Sequence, residues 1–246
     1  MGPHWIYLSP HLDDVALSCG GIIRSQVQAG NRVEIWTIFA GNPPAGNKPP
    51  FALSLEERWQ TGRNSTVARR AEDIKACEIL NAQPVHFDLP DCIYRRLPDG
   101  RPLIDGEADL WQPIPSGEQL LVEQIASQIA ARMPPRCRLV IPLSMGDHID
   151  HRLVRAAGLC VKPILYFYAD YPYSARSGAN LNRYTDPNWQ EKNFSVSKSA
   201  FTAWQTAIAC YESQITSLWV GLEEMHESLA GYYSSGGGKA LWIKTE

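Results

Sequence analysis

Trp5-Ile6-Tyr7-Leu8-Ser9-Pro10-His11-Leu12-Asp13-Asp14 begins as a short apolar run, breaks at a proline and ends in ionisable side chains, with a helix-like stretch over 15–28 directly behind it. Gly30-Asn31 punctuates the end of that helix, and a second apolar, β-branched run fills 32–39. Strand, helix, strand in quick succession is the rhythm of a parallel sheet, because two parallel strands need a crossover between them. The rhythm continues outward. Helices are expected over 66–80, from near Ser116, over 153–159 and over 198–218, and strands over 85–89, 139–143 and 164–168. Ser116-Gly117-Glu118-Gln119 has the capping-box form, and Leu121, Ile125 and Ile129 recur on one helical face. The expected fold is therefore a three-layer α/β/α sandwich with a mostly parallel, Rossmann-like sheet.

A chain of 246 residues with 44% hydrophobic content suits one domain spanning 1–246. Its 23 basic and 26 acidic residues leave a net charge of −3, with no cluster of Lys or Arg. Such a surface does not gather nucleic acid or anionic lipid, so neither is expected as a partner. The six cysteines lie far apart without metal-ribbon spacing and read as free thiols. Together with residues 1–8, which lack a secretory pattern, they point to the cytoplasm. No apolar run approaches the ~18 residues of a membrane span. Gly20-Gly21 lacks the spacing of a phosphate cradle and reads as a site of close helix packing. Three stretches, 41–53, 90–115 and 172–196, interrupt the rhythm and are candidates for the walls of a substrate pocket.

In open parallel sheets ligands bind beyond the carboxyl ends of strands, where His11, Asp13 and Asp14 fall. A second cluster, His148-Ile149-Asp150-His151, follows the strand expected at 139–143. Imidazole plus carboxylate is a common ligand set for a catalytic divalent metal that keeps a position open for water. Adjacent Asp13 and Asp14 can divide the work, one coordinating and its neighbour taking a proton from water as it attacks a carbonyl. His148 and Asp150 suit a second pair. An imidazolium beside the carbonyl can stabilise a developing oxyanion, and a carboxylate bonded to it would raise its pKa.

Pro10-His11-Leu12-Asp13-Asp14 resembles the P-H-P-D-D motif of the PIG-L/LmbE family of metal-dependent N-deacetylases, and His148-Ile149-Asp150-His151 resembles its H-x-D-H motif. The likeness extends to Leu17-Ser18-Cys19-Gly20-Gly21, to the helix from Arg69-Arg70-Ala71-Glu72 to Leu80, to Asp91-Cys92-Ile93-Tyr94-Arg95, to Tyr168-Ala169-Asp170-Tyr171-Pro172-Tyr173 and to Tyr211-Glu212-Ser213-Gln214. It implies an LmbE-like fold and removal of an N-acyl group, most simply acetyl, from an amino sugar or its conjugate. It implies one zinc per chain on His11, Asp14 and His151, with Fe2+ or another divalent metal as the alternative. Asp13 becomes the general base, and His148, oriented by Asp150, the partner of the oxyanion. Arg69 and, from the quoted segments, Asp91, Tyr94, Asp170 and Tyr173 are the expected substrate contacts. Family members often assemble into homo-oligomers.

Two departures bear on the chemistry. Leu12 stands where proline is usual, and Met145-Gly146-Asp147 occupies the place of a tyrosine that assists the oxyanion in some members, leaving Tyr94, Tyr168 and Tyr173 as substitutes. Lys239-Ala240-Leu241-Trp242 replaces a glutamate-containing stretch. Trp59 and Trp111, in irregular regions, are candidate platforms for a sugar ring. The alternatives are an ester or long-acyl amide hydrolase on the same centre, or a catalytically silent sugar-binding protein.

Overall fold

The computed structural model describes residues 2–161 and 164–244. Among these, strand β1 (His4–Ser9) is flanked on one side by β2 (Arg32–Thr37) and then β3 (Gln83–His86), and on the other by β4 (Cys137–Pro142) and β5 (Ile164–Tyr168), all parallel. Two further strands, β6 (Gln190–Asn193) and β7 (Ala240–Ile243), extend the sheet beyond β5, giving the order β3-β2-β1-β4-β5-β7-β6. Strand β7 runs antiparallel to both β5 and β6. The helices are α1 (Asp14–Gln28), α2 (Pro50–Arg58), α3 (Ser65–Leu80), α4 (Gln119–Arg132), α5 (Ile149–Cys160), α6 (Lys198–Ala209), α7 (Glu212–Leu218) and α8 (Leu222–Ser234).

Alternating side chains of the strands feed two cores. Trp5, Tyr7, Val33, Ile35 and Val140 meet α1, α3 and α6 on one face. Ile6, Leu8, Leu139 and Ile141 meet α4 and α5 on the other. Burial on both faces is why the strands read as unbroken apolar runs. The expected sandwich is thus the observed one. Trp204 of α6 is fully buried against α1, its Nε1 donating to the Ala16 carbonyl at 2.7 Å. A Cβ placed on Gly20 would lie 2.3 Å from Trp204 Cδ1, which is the close packing read from Gly20-Gly21.

Several boundaries differ for identifiable reasons. The expected 198–218 helix is two helices, broken where Tyr211 Oη donates to Asp73 at 2.8 Å and Glu72 accepts from both the amide (2.9 Å) and hydroxyl (2.6 Å) of Ser213. Two acids of α3 thereby re-aim α7. The 85–89 strand begins earlier, at Gln83, because β3 is a sheet edge where the missing N–H of Pro84 is tolerated. Ser116 opens a short 3-10 turn and its side chain caps nothing. Helix α2 begins inside the irregular 41–53 stretch, started by Pro50 at its first turn, and runs beyond it to Arg58. Strand β6 falls inside 172–196, and its Gln-Glu-Lys-Asn sequence carries no apolar signal. The six cysteines are free thiols, and no described helix is long and apolar enough to cross a membrane.

Candidate metal centre

Strands β1 and β4 are neighbours, yet α1 leaves to one face of the sheet and α5 to the other. Their carboxyl ends therefore open a crevice, the topological switch point of a doubly wound sheet. His11, Asp13 and Asp14 enter it from β1, and His148 and His151 from β4.

Asp14 Oδ2 lies 3.2 Å from His11 Nδ1 and 3.3 Å from His151 Nε2. Ligand atoms of a tetrahedral centre with bonds of about 2.0–2.1 Å sit about 3.3 Å apart, so this donor set fits a divalent cation. One nitrogen each of His11, His148 and His151 also lies within 4.8 Å of the others. Both imidazoles facing Asp14 are held from behind by a carboxylate. Asp150 Oδ2 is 3.0 Å from His11 Nε2, and Asp170 Oδ1 is 2.7 Å from His151 Nδ1. Such a partner fixes the tautomer of a metal-binding imidazole and raises its basicity. His11, Asp91 and Asp150 form a second metal-capable group. Asp150 is already committed there, accepting from Arg95 Nη2 at 2.6 Å and the Cys92 amide at 3.0 Å.

The two adjacent aspartates have opposite electrostatics. Burial works against the charged form of Asp14, but His151 and His11 outweigh it and hold the carboxyl well below its usual range. Asp13 is pushed up to about 7 by burial and by the charge of Asp14, against the pull of Arg69 and His11. Its Oδ1 is 3.8 Å from Arg69 Nη2. Burial, followed by His11 and His151, holds His148 well below the usual imidazole value.

The geometry around His148 differs from the expected pairing with Asp150. His148 is the N-cap of α5, and its Nδ1 accepts from the backbone N–H of Asp150 at 3.2 Å. The proton of the neutral ring therefore sits on Nε2. The Asp150 carboxylate turns away to His11 and does not pair with the His148 ring, while burial and the neighbouring histidines disfavour the charged form of that ring.

A cavity of 210 Å³ is lined by His11, Asp13, Asp14, His148 and His151, and by side chains of the irregular stretches. Arg69, Asp91 and Tyr173 line it as expected, as do Trp59 and Trp111. The guanidinium of Arg69 lies 4.6 Å from the Trp59 ring, while Trp111 meets His148 and Tyr173 edge-on. Two expected contacts are placed elsewhere. Tyr94 Oη donates to Glu56 at 2.7 Å and borders a separate pocket with Lys48 and Arg96. Asp170, 1% exposed, stands behind His151 and also accepts from the Met145 amide. Of the three substitute tyrosines only Tyr173 reaches the cavity, since Tyr168 Oη donates to the Leu8 carbonyl in the core. Sequence reading missed Leu110, Arg58 and Leu218 in the lining, and the Asp150 contact of Arg95; none carries a local signal. Gln214 was legible only as part of its quoted stretch.

A doubly wound α/β fold with an open histidine–carboxylate centre at its switch point defines a class of metal-binding proteins that work on a ligand in that crevice. Residues 6–161 match the PIG-L family, described as GlcNAc-PI de-N-acetylase, and the chain belongs to this family. It is 27% identical to the 2'-N-acetylparomamine deacetylase of Niallia circulans, over 98% of this chain and 90% of that protein. Among solved structures it resembles the zinc-inhibited form of teicoplanin deacetylase, with 26% identity, a TM-score of 0.79 and coverage of 97% of this chain and 96% of that one. A complex of the deacetylase of teicoplanin biosynthesis with teicoplanin matches with 25% identity, a TM-score of 0.80 and coverage of 98% and 97%. The resemblance read from the motifs therefore stands for family and fold.

Proposed function

We propose that residues 1–246 form one catalytic domain that removes an acetyl group from the amine of an amino-sugar conjugate, with zinc as the resident ion and the cytoplasm as its place of action. The observation that carries this reading is the division between the adjacent aspartates. Asp14 is locked between two carboxylate-backed imidazoles, while Asp13 faces the cavity with no histidine nitrogen against it. Relatives that deacetylate N-acetylparomamine and teicoplanin support the reaction and the substrate class. The zinc-inhibited neighbour supports zinc. The free thiols agree with a reducing compartment such as the cytoplasm.

His11, Asp14 and His151 would hold the ion. When bound, a divalent cation there acidifies water and polarises an amide carbonyl. Asp13 takes a proton from the attacking water at its carboxylate and returns it to the leaving amine as the C–N bond breaks, so that amide and water become amine and carboxylic acid, whose remaining proton passes to the amine to give ammonium and carboxylate. His148 Nε2–H donates to the carbonyl oxygen as its charge develops. Arg69 on Trp59, Trp111 and Tyr173 orient the sugar. The test is acetate release from a panel of N-acetylated amino sugars, with Asp13→Asn as the paired variant and elemental analysis for zinc. We expect Asp13→Asn to retain the ion and lose turnover by about 10²–10⁴-fold, the usual contribution of a general base. Turnover at the wild-type rate by that variant removes Asp13 from the mechanism.

A further inference from the structure

We propose that a pocket formed by α5, the 144–147 loop and residues 183–184 binds a phosphate monoester, as a second ligand site separate from the catalytic cavity. The site stands independently of the reaction at the metal centre.

The pocket encloses 340 Å³, within the range of about 300–1,000 Å³ usual for small-molecule sites. Arg152, Arg155, Ala156 and Leu159 line it from α5, at the spacing of one helical face. Ser144 and Asp147 line it from the loop after β4, and Arg183 and Tyr184 from the irregular 172–196 stretch. None of these residues lines the cavity of the metal centre.

Charge selects the head of the guest. Three guanidiniums against the single carboxylate of Asp147 leave a charge of +2 in the lining. Asp147 lies 3.2 Å from Arg152 Nη2 and 3.1 Å from Arg183 Nη2, longer than the 2.7–2.9 Å of a charge-assisted hydrogen bond. Arg155 has no carboxylate within ion-pair distance among the described residues. Its guanidinium donates to the Leu143 carbonyl at 2.8 Å and the Tyr184 carbonyl at 3.1 Å, and burial disfavours its charge. Asp170, Asp186 and Asp147 act on it only from a distance. Ser144, 2% exposed, adds a buried hydroxyl without a hydrogen-bond partner, although buried polar groups are normally paired. A phosphate monoester carries a charge of about −1.5 to −2 at pH 7 and three acceptor oxygens, which matches both the charge and the donors. A carboxylate brings about half that charge. Ala156, Leu159 and the Tyr184 ring are apolar surface beside the arginines. A bare oxyanion leaves them facing water, whereas the carbon part of an ester covers them.

The test is calorimetry with phenyl phosphate, compared with inorganic phosphate and benzoate. Zinc-loaded and zinc-free protein are titrated in parallel, because an oxyanion can also reach a bound cation. Arg152→Gln and Arg183→Gln remove charges from side chains that are 27% and 69% exposed, so both variants should fold. Arg58→Gln alters the lining of the catalytic cavity instead. We expect phenyl phosphate to bind both forms of the wild type equally, and more tightly than either comparison ligand. Arg152→Gln and Arg183→Gln should each weaken it by about tenfold, the scale of one lost charged hydrogen bond, while Arg58→Gln leaves it within about twofold. Binding that disappears with zinc or with Arg58→Gln places the ester in the catalytic cavity and overturns the proposal. Unchanged affinity in both of the other arginine variants overturns it too, as does a wild type that binds no ester. Inorganic phosphate or benzoate binding as tightly as phenyl phosphate refutes the monoester as the ligand.

Discussion

Replacing Arg95 by methionine should weaken metal binding without touching a ligand. Arg95 is 8% exposed and its Nη2 reaches Asp150 Oδ1 at 2.6 Å and Glu118 Oε2 at 2.8 Å, while Nη1 donates to the Pro90 carbonyl at 3.1 Å. Asp150 is fully buried and is the carboxylate behind His11 Nε2. Removing the guanidinium leaves two partly or wholly buried acids, Asp150 and Glu118, without their shared cation. Breaking a buried pair in this way costs about 3–5 kcal/mol, within a usual folding stability of about 5–15 kcal/mol, so the variant should fold but melt earlier. Metal affinity should fall by about 10–100-fold, the usual effect of losing the support behind a ligand. Urea melts of the metal-free protein read the first quantity, and competition with a chromophoric chelator reads the second. Arg95→Lys should be intermediate, because a point charge cannot bridge both acids in the planar geometry of a guanidinium. A folded Arg95→Met protein with wild-type zinc affinity, alongside an Asp150→Asn protein that binds weakly, would refute the chain of support from Arg95 to His11.

Gly20→Ala places a methyl group 2.3 Å from Trp204 Cδ1. It should cost about 2 kcal/mol through overpacking and lower Tm by roughly 6 °C, as differential scanning calorimetry would show. Tyr94→Phe removes the bond to Glu56, which keeps Lys48 at 2.6 and 2.8 Å. About 1–2 kcal/mol of stability should go while kcat and KM stay within about twofold, and a large kcat loss would return Tyr94 to the catalytic cavity. Chelating the ion should abolish turnover and lower Tm, because the ion binds the folded chain preferentially; zinc added back should restore both.

What the sequence disclosed follows the range of the interactions involved. The strand ends and both motif clusters were legible because the unbroken apolar runs of strands buried on both faces, and the switch-point rule, act within a few residues of the chain. Asp91, Arg69 and Tyr173 could be placed at the cavity since each lies in a stretch resembling the family. The orientation of Asp150 was not legible. Whether its carboxylate faces His148, two residues away, or His11, 139 residues away, is decided by Arg95 and the Cys92 amide arriving from another loop. The break between α6 and α7 was hidden for a similar reason. Residues 198–218 have no local stop, and the kink is set by Glu72 and Asp73 of α3.

The match to the PIG-L family ends at residue 161, yet part of the lining of the metal-centre cavity lies beyond it, at Tyr171, Pro172, Tyr173, Gln214 and Leu218. His11, Asp13, Asp14, His148 and His151 all precede that boundary. The reactive side chains thus sit in the anterior part of the chain, and the posterior part completes the wall of their cavity. One residue ties the two parts together. Asp170 belongs to the posterior portion but grips His151 of the anterior one at 2.7 Å, so a graft of one portion onto another protein must carry or match this carboxylate to remain competent.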